Sequence, residues 1–232
     1  MKCLAIIPTY NEKENIATLI ERILSLGKGF DILVIDDGSP DGTGDIASKI
    51  SESNRSVTLM RRAGKSGLAS AYIKGFGYAL EKNYDVIFTM DADFSHNPDY
   101  MPGMLERITS SDYVIGSRYV AGGGTSGWPL SRRIISRLGN FYARAVTGIG
   151  IRDCTSGFAC IKTGVLRSVG ISAIKTEGYG FLIELKYLAA RAGFAVSEYP
   201  IVFTDRVAGK SKISKSIIFE AMALVWKLRF SR

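Results

Sequence analysis

Two acids one residue apart, Asp91 and Asp93, close the run VIFTMDADFSH at residues 86–96. The run before them has the apolar, β-branched and aromatic character of a buried strand. In extended chain, side chains two residues apart leave on the same side, so the spacing predicts a carboxylate pair at a strand end. Hard carboxylate oxygens suit Mg²⁺ or Mn²⁺. Two carboxylates leave the rest of such a shell to water and to the oxygens of a diphosphate. A metal held in this way neutralises a phosphate leaving group. The competing reading makes Asp93 a helix cap ahead of Asn97-Pro98 and Asp91 a simple strand terminus. The surrounding elements have to decide between the two.

Those elements alternate. CLAIIP, DILVID, VTLMR, VIFTMD and YVIGS read as strands, separated by helical patterns over residues 12–26, 43–53, 67–82 and 101–109. Such alternation predicts an α/β chain with a mostly parallel sheet buried on both faces. Ligands of an open α/β sheet bind beyond the carboxyl ends of its strands. PTYNE (residues 8–12), DDGSPDG (36–42) and DADFSH (91–96) all fall there, on one rim. After Ser117 the alternation weakens. RYVAGGGTSGWP reads as a loop and residues 131–148 as an amphipathic helix. GFACI and EYPIVF are two further strand candidates, with a helix over 181–193 and a helical, amphipathic tail.

Several functions are disfavoured at this level. No GxGxxG follows the first strand, which argues against a dinucleotide-binding unit. AGKSG at 63–67 and GKSK at 209–212 lack the glycine a P-loop needs, with Leu59 and Thr204 in its place. Three scattered cysteines and one histidine, His96, suit neither a disulfide framework nor a Cys/His zinc site. MKCLAIIPTY does not read as a signal peptide, and no apolar run approaches a membrane span. The net charge of +8 is uneven. Arg118, Arg132, Arg133, Arg137, Arg144 and Arg152 fall between Asp112 and Asp153 without an intervening acid. From Arg206 onward seven bases face only Glu220. This predicts an anionic partner for the later half. The bases lie beside apolar stripes rather than interleaved with exposed aromatics, which speaks against nucleic acid.

PTYNE, IDDGSPDGT, GLASAYIKGF, MDADFSHNP, GSRY, GWPLSRRIIS, TSGF and DRVAGKSK occur here in the order found in dolichol-phosphate (polyprenol-phosphate) mannose synthases, which the chain resembles over nearly its whole length. The first half resembles inverting glycosyltransferases of the GT-A fold in general, and WPLSRRIIS and DRVAGKSK narrow the likeness. The resemblance implies transfer of mannose from GDP-mannose to dolichyl or polyprenyl phosphate with inversion, dependent on Mg²⁺ or Mn²⁺. It implies that Pro8, Tyr10, Glu12, Ile35 and Asp37 hold the nucleoside. Asp91, Ala92 and Asp93 would face the diphosphate and sugar, with Asp93 the direct metal ligand and Asp91 beside it. Arg118 would reach the phosphates or the acceptor, Arg132 and Ser136 would bind the acceptor phosphate, and Arg206 and Lys212 would close over the donor phosphates. The chain departs from some members at Ser95, where they carry a glutamine that can help bind metal.

On this reading residues 1–212 form the GT-A domain, 1–117 binding nucleotide sugar and 118–212 the acceptor. Residues 213–232 form an amphipathic helix at a membrane surface. The protein is expected to sit peripherally on the cytoplasmic face of a membrane, alone or with a separate membrane-anchoring subunit. The stripe of residues 131–148 (Ile134, Ile135, Leu138, Phe141, Tyr142, Ala145 and Val146) is expected to pack in part on the sheet. The tail, with Phe219, Met222, Val225, Trp226 and Phe230, is expected to meet lipid. An ionised phosphate acceptor needs no strong base, so His96 is expected to shape its loop. Spacing alone leaves open a glucosyl or N-acetylhexosaminyl donor. A non-catalytic nucleotide-sugar-binding subunit is the reading from another class.

Overall fold

The computed structural model describes residues 1–64, 66–171, 174, 176, 180–205 and 215–230, the side chains of 215–222 excepted. The chain order is β1 (Cys3–Thr9), α1 (Ile16–Ser25), β2 (Phe30–Asp36), α2 (Thr43–Ser53), β3 (Val57–Arg61), α3 (Leu68–Glu81) and β4 (Val86–Thr89). It continues with α4 (Met101–Arg107), β5 (Tyr113–Ser117), β6 (Gly124–Ser126), α5 (Leu130–Thr147), β7 (Ala159–Lys162) and α6 (Thr163–Val169). It ends with α7 (Gly180–Arg191), β8 (Val196–Pro200), β9 (Val202–Thr204) and α8 (Lys215–Phe230).

Seven strands form one sheet in the order β3-β2-β1-β4-β7-β5-β8. All neighbouring pairs are parallel except those made by β7, which runs antiparallel between β4 and β5. Apolar side chains leave both faces, as the continuous apolar strands require. One core packs α3, α6, α7 and the end of α8 on one face. The other packs α1, α2 and α4 on the opposite face. The reversed strand matters for function. Its beginning lies where its parallel neighbours end, so the loop before Ala159 reaches the rim on which β4 and β5 terminate, with Thr89 opposite Ala159.

The sequence-based expectations need local correction. The first helix begins at Ile16, because residues 12–15 form a turn in which Ile16 N–H donates to Glu12 O. Part of the expected glycine loop is β6, which pairs with β9 in a second, two-stranded sheet. EYPIVF is therefore split between two sheets. Strand β4 stops at Thr89, two residues before the first acid, and Phe94 adopts a positive φ of 60°. The extended-chain argument for the acid pair does not hold at these positions.

The stripe of α5 packs in part: Tyr142 and Val146 are partly buried against the core. Leu130, Ile134, Ile135, Leu138 and Phe141 of α5 are exposed. Its inner face is small and polar: Asn140, Ala143 and Thr147 are buried there. Asn140 is fixed by hydrogen bonds rather than by apolar contact, with Nδ2 donating to Ser136 O and Thr155 Oγ1. In α8, by contrast, Val225 is buried together with Leu224 and Leu228, while Trp226 and Phe230 are exposed. The side chains of Phe219 and Met222 lie outside the described residues. Among the described residues, no helix is long and apolar enough to cross a membrane.

Candidate active site

Parallel register assembles one side of the rim. Pro8 of β1 stands opposite Ile35 of β2. Tyr10, Glu12 and Asp37 follow in the adjoining loops, where Asp37 N–H donates to Thr9 O and Glu12 N–H to Thr43 Oγ1. The Asp37 carboxylate pairs with Arg62 at 3.0 Å, and both side chains are nearly buried. Arg62 also donates to Gly67 O and Ser70 Oγ, so it is anchored to the start of α3. Arg62, one residue beyond β3, was not anticipated from the sequence.

The acids of DADFSH lie in the bends after β4. Asp93 is nearly buried, and its Oδ1 accepts from both the N–H and the Oγ of Ser95, at 3.1 and 2.6 Å. The residue that broke the resemblance thus orients the carboxylate. The nearby 3-10 turn is capped by Asn97, which accepts from Asp99 N–H, so the capping role weighed for Asp93 falls to another residue. Asp91 and Asp93 line different cavities, with Ala92 buried between them. The cavity at Asp93 measures about 350 Å³ and also touches Arg22, Asn97 and Asp205.

His96 is buried, and its Nδ1 accepts the N–H of Asp91 at 3.0 Å. That bond makes the ring a neutral acceptor, and burial lowers its pKa despite the nearby acids. It stacks on Phe158. Gly157 permits the close packing, since a Cβ there would come to 3.3 Å from the His96 Cε1.

Asp91 faces a cavity of about 60 Å³ shared with Arg118, Trp128, Arg132, Thr155 and Gly157. Arg118, at the end of β5, is held by Asp153 through a bidentate pair at 2.7 and 2.6 Å, and its own N–H donates to the same carboxylate. Burial alone would raise the Asp153 pKa, but the charge and hydrogen bonds of Arg118, with Lys186 nearby, outweigh it and hold it low. Lys186 on α7 is fully buried and donates to the carbonyls of Cys154 and Ser156. Glu198 on β8 accepts the N–H groups of Arg152 and Asp153. Asn140 on α5 accepts from Thr155 N–H. The loop over 152–157 is therefore tied to α7, β8 and α5, and also to β4 through Thr89 and Gly157 O and to β5 through Ser156 and Gly116 O.

Arg132 pairs with Asp205 and lies 4.0 Å from the Trp128 ring centroid. Among the described residues, two buried N–H groups of the residues that line this cavity, Trp128 Nε1 and Arg132 Nε, have no hydrogen-bond partner. Ser136 does not line the cavity, and its Oγ bonds to Tyr119 Oη at 2.6 Å. Arg206 and Lys212 lie outside the described residues. Sequence reasoning missed Asp153, Trp128, Lys186, Asn140 and Glu198. The acid that ends an arginine-rich, acid-free stretch was the signal available for Asp153.

A sheet of this order, with diphosphate chemistry suggested at its rim, defines a GT-A glycosyltransferase fold, and solved structures agree. Glucosyl-3-phosphoglycerate synthase from Mycobacterium tuberculosis, in complex with Mn²⁺, UDP and glucosyl-3-phosphoglycerate, superposes with a TM-score of 0.69 at 17% identity, over 98% of this chain and 79% of that one. A mannosyltransferase from Pyrobaculum calidifontis, in complex with GDP-Man and Mn²⁺, gives 0.62 at 16% identity, over 98% and 72%. The model of glycosyl transferase family 2 matches residues 4–170, and the chain belongs to that family. It is 43% identical to an undecaprenyl-phosphate mannosyltransferase of Micrococcus luteus, over 97% of this chain and 93% of that protein. It is 42% identical to a polyprenol monophosphomannose synthase of Mycolicibacterium smegmatis, over 98% and 88%. The resemblance read from the motifs therefore holds over nearly the full length.

Proposed function

We propose that the protein transfers mannose from GDP-mannose to a polyprenyl or dolichyl phosphate with inversion, releasing GDP. The observation that carries this reading is the cavity beside Asp91. Its two unpartnered buried donors, Trp128 Nε1 and Arg132 Nε, adjoin the fixed guanidinium of Arg118. Buried N–H groups without partners are costly, and a phosphate oxygen would satisfy them. The names of the two relatives support a polyprenyl phosphate as its source.

The donor set fits a divalent metal. Asp91 and Asp93 offer hard oxygens, Asp93 is pre-oriented by Ser95, and the His96 Nδ1 is already engaged. Among the described residues no cluster of three or more metal-binding side chains exists, so the diphosphate itself would complete the shell. Mg²⁺ or Mn²⁺ held there would neutralise the departing diphosphate. Pro8, Tyr10, Glu12, Ile35 and Asp37 would hold the nucleoside on the opposite side, with Arg206 and Lys212 closing over the phosphates.

The acceptor phosphate, bound by Arg132 and Arg118, places an oxygen in line behind the anomeric carbon. That oxygen forms the new bond as the bond to the diphosphate breaks. Its second pKa, about 6 by analogy with phosphoserine, leaves it ionised, so no general base is required. Rate would come from positioning and electrostatics.

The exposed stripe of α5, flanked by arginines, is proposed to lie in the headgroup layer of an anionic membrane and bring the cavity to its lipid. A separate membrane subunit is an additional partner consistent with that placement.

Incubation with a short polyprenyl phosphate, Mg²⁺ or Mn²⁺ and a panel of labelled nucleotide sugars should move label into the organic phase from GDP-mannose. Label from another donor instead would correct the sugar, and no label from any donor would defeat the enzyme reading.

A further inference from the structure

Beside the exposed stripe of α5 runs a row of arginines. Arg133, Arg137 and Arg144, four and seven residues apart, share one flank of the helix. Arg137 and Arg144 face Tyr119 and Val120 across an open groove of about 470 Å³, and Arg152 of the following loop joins them. Among the described residues no acidic side chain lines this groove. Among the described residues Arg137, Arg144 and Arg152 form no salt bridge. Arg118, at the inner end, is already neutralised by Asp153. Three uncompensated guanidinium groups around one concavity repel one another, and a phosphate accepting from them in pairs offsets that cost. The rim residue Phe141 is exposed and belongs to the apolar stripe.

We propose that this groove is a headgroup site for an anionic phospholipid. Its phosphodiester would sit among Arg137, Arg144 and Arg152, with its acyl chains beside Phe141 and the α5 stripe. The site is separate from the Trp128–Arg132 cavity, which has different lining residues apart from Arg118. It rests on the reading of α5 as the membrane-facing element and adds a defined ligand to it. Charge complementarity and the adjoining apolar stripe favour lipid over free phosphate.

The test is co-sedimentation with vesicles of phosphatidylcholine alone or mixed with phosphatidylglycerol. The full chain is compared with R137Q/R144Q/R152Q, with R137K/R144K/R152K and with a charge-matched control, R107Q/R167Q/R191Q, at exposed sites elsewhere. At about fivefold per basic residue, the Gln triple should lose roughly a hundredfold in affinity for the mixed vesicles, and the control far less. The Lys triple should also lose about tenfold, because it keeps the charge but not the paired donors. A Lys triple that binds like the parent, or a Gln triple no worse than the control, leaves only diffuse surface charge and overturns the site. Inorganic phosphate should release the protein no better than sodium chloride at matched ionic strength. Selective release by phosphate would make the free anion the ligand and overturn the lipid assignment. Transfer to a short polyprenyl phosphate in detergent separates the two sites: a loss as large as that in vesicle binding would move the groove into the acceptor site. If the parent chain transfers no sugar at all, the proposed activity fails while the sedimentation arms still decide the groove.

Discussion

On the β1–β2 side of the rim, Arg62 holds Asp37; on the β5 side, Asp153 holds Arg118. Both pairs are nearly buried, but the less hidden partner is the acid in the first and the base in the second. In the first the acid is the less hidden partner, at 9% side-chain exposure against 3%, and on the proposed reading it would suit the hydroxyl and N–H donors of a nucleoside. The second lets a base look outward from a hidden acid, which suits a phosphate. The supporting structure differs as well. The first side is built from strand ends in parallel register. The second hangs on the loop over 152–157, held by β8, α5 and α7 at once. Thus the two sides can be damaged independently, and by different kinds of substitution.

The largest expected effect is Asp153→Ala. It strands the Arg118 guanidinium and removes the acceptor of four hydrogen bonds, three from Arg118 and one from Thr155. Breaking a buried pair from one side costs about 3–5 kcal/mol, so denaturant unfolding should show that loss together with loss of transfer. Retention of near-normal stability would mean that the remaining ties of the loop, to Lys186, Glu198, Asn140, Thr89 and Gly116, hold it without the ion pair. Arg62→Met is the counterpart on the other side. It should cost about 3 kcal/mol and raise the KM for the nucleotide sugar without changing that for the lipid. Equal effects on both substrates would erase the division between the sides.

A third test uses pH and concerns only the loop. Lys186 is pulled down to about 8 by burial, against the upward pull of Asp153, Cys154 and Glu198, with Arg118 adding to the downward shift. Its folded value lies below the ordinary 10.5, so between the two the unfolded chain binds more protons. Its contribution to stability is therefore complete at the upper end of that window and declines as pH falls towards 8. Compared with Lys186→Met, the parent should gain roughly 2–3 kcal/mol from pH 8 to 10.5, and flat curves would show that the ammonium is not shielded as described.

The same contrast explains how much was legible in the sequence. β-branched runs alternating with helical periods define β1 to β5, and the rim rule then places PTYNE, DDGSPDG and DADFSH together without any tertiary detail. The direction of β7 was not legible, because an antiparallel strand in a parallel sheet has the same local composition as its neighbours. With that direction hidden, the loop over 152–157 could not be placed at the rim, and Asp153 looked like the mere end of an acid-free stretch. Helix α5 was only partly legible for another reason. Amphipathic periodicity finds the apolar stripe but not the partner of the opposite face. Here Asn140 ties the inner side to Thr155 by hydrogen bonds, Tyr142 and Val146 pack partly against the core, and the rest of the apolar side turns outward. Ser95 was read as a missing ligand because the sequence does not show that its N–H and Oγ both turn back to Asp93.

The smallest expected effect is also the sharpest divider. Arg132 lies 4.0 Å from the Trp128 ring centroid, pairs with Asp205 and has a buried Nε with no partner among the described residues. Its partly exposed pair contributes little to folding, so Arg132→Ala should leave the unfolding midpoint nearly unchanged. The loss of one paired donor set to phosphate should raise the KM for the polyprenyl phosphate about tenfold, with the KM for GDP-mannose unaltered. Arg132→Lys keeps the charge but not the planar fork, so it should recover only part of that loss. Full recovery by lysine would reduce the cavity to a point-charge attraction. A matching rise in the donor KM would join Arg132 to the β1–β2 side and dissolve the contrast between the two ion pairs.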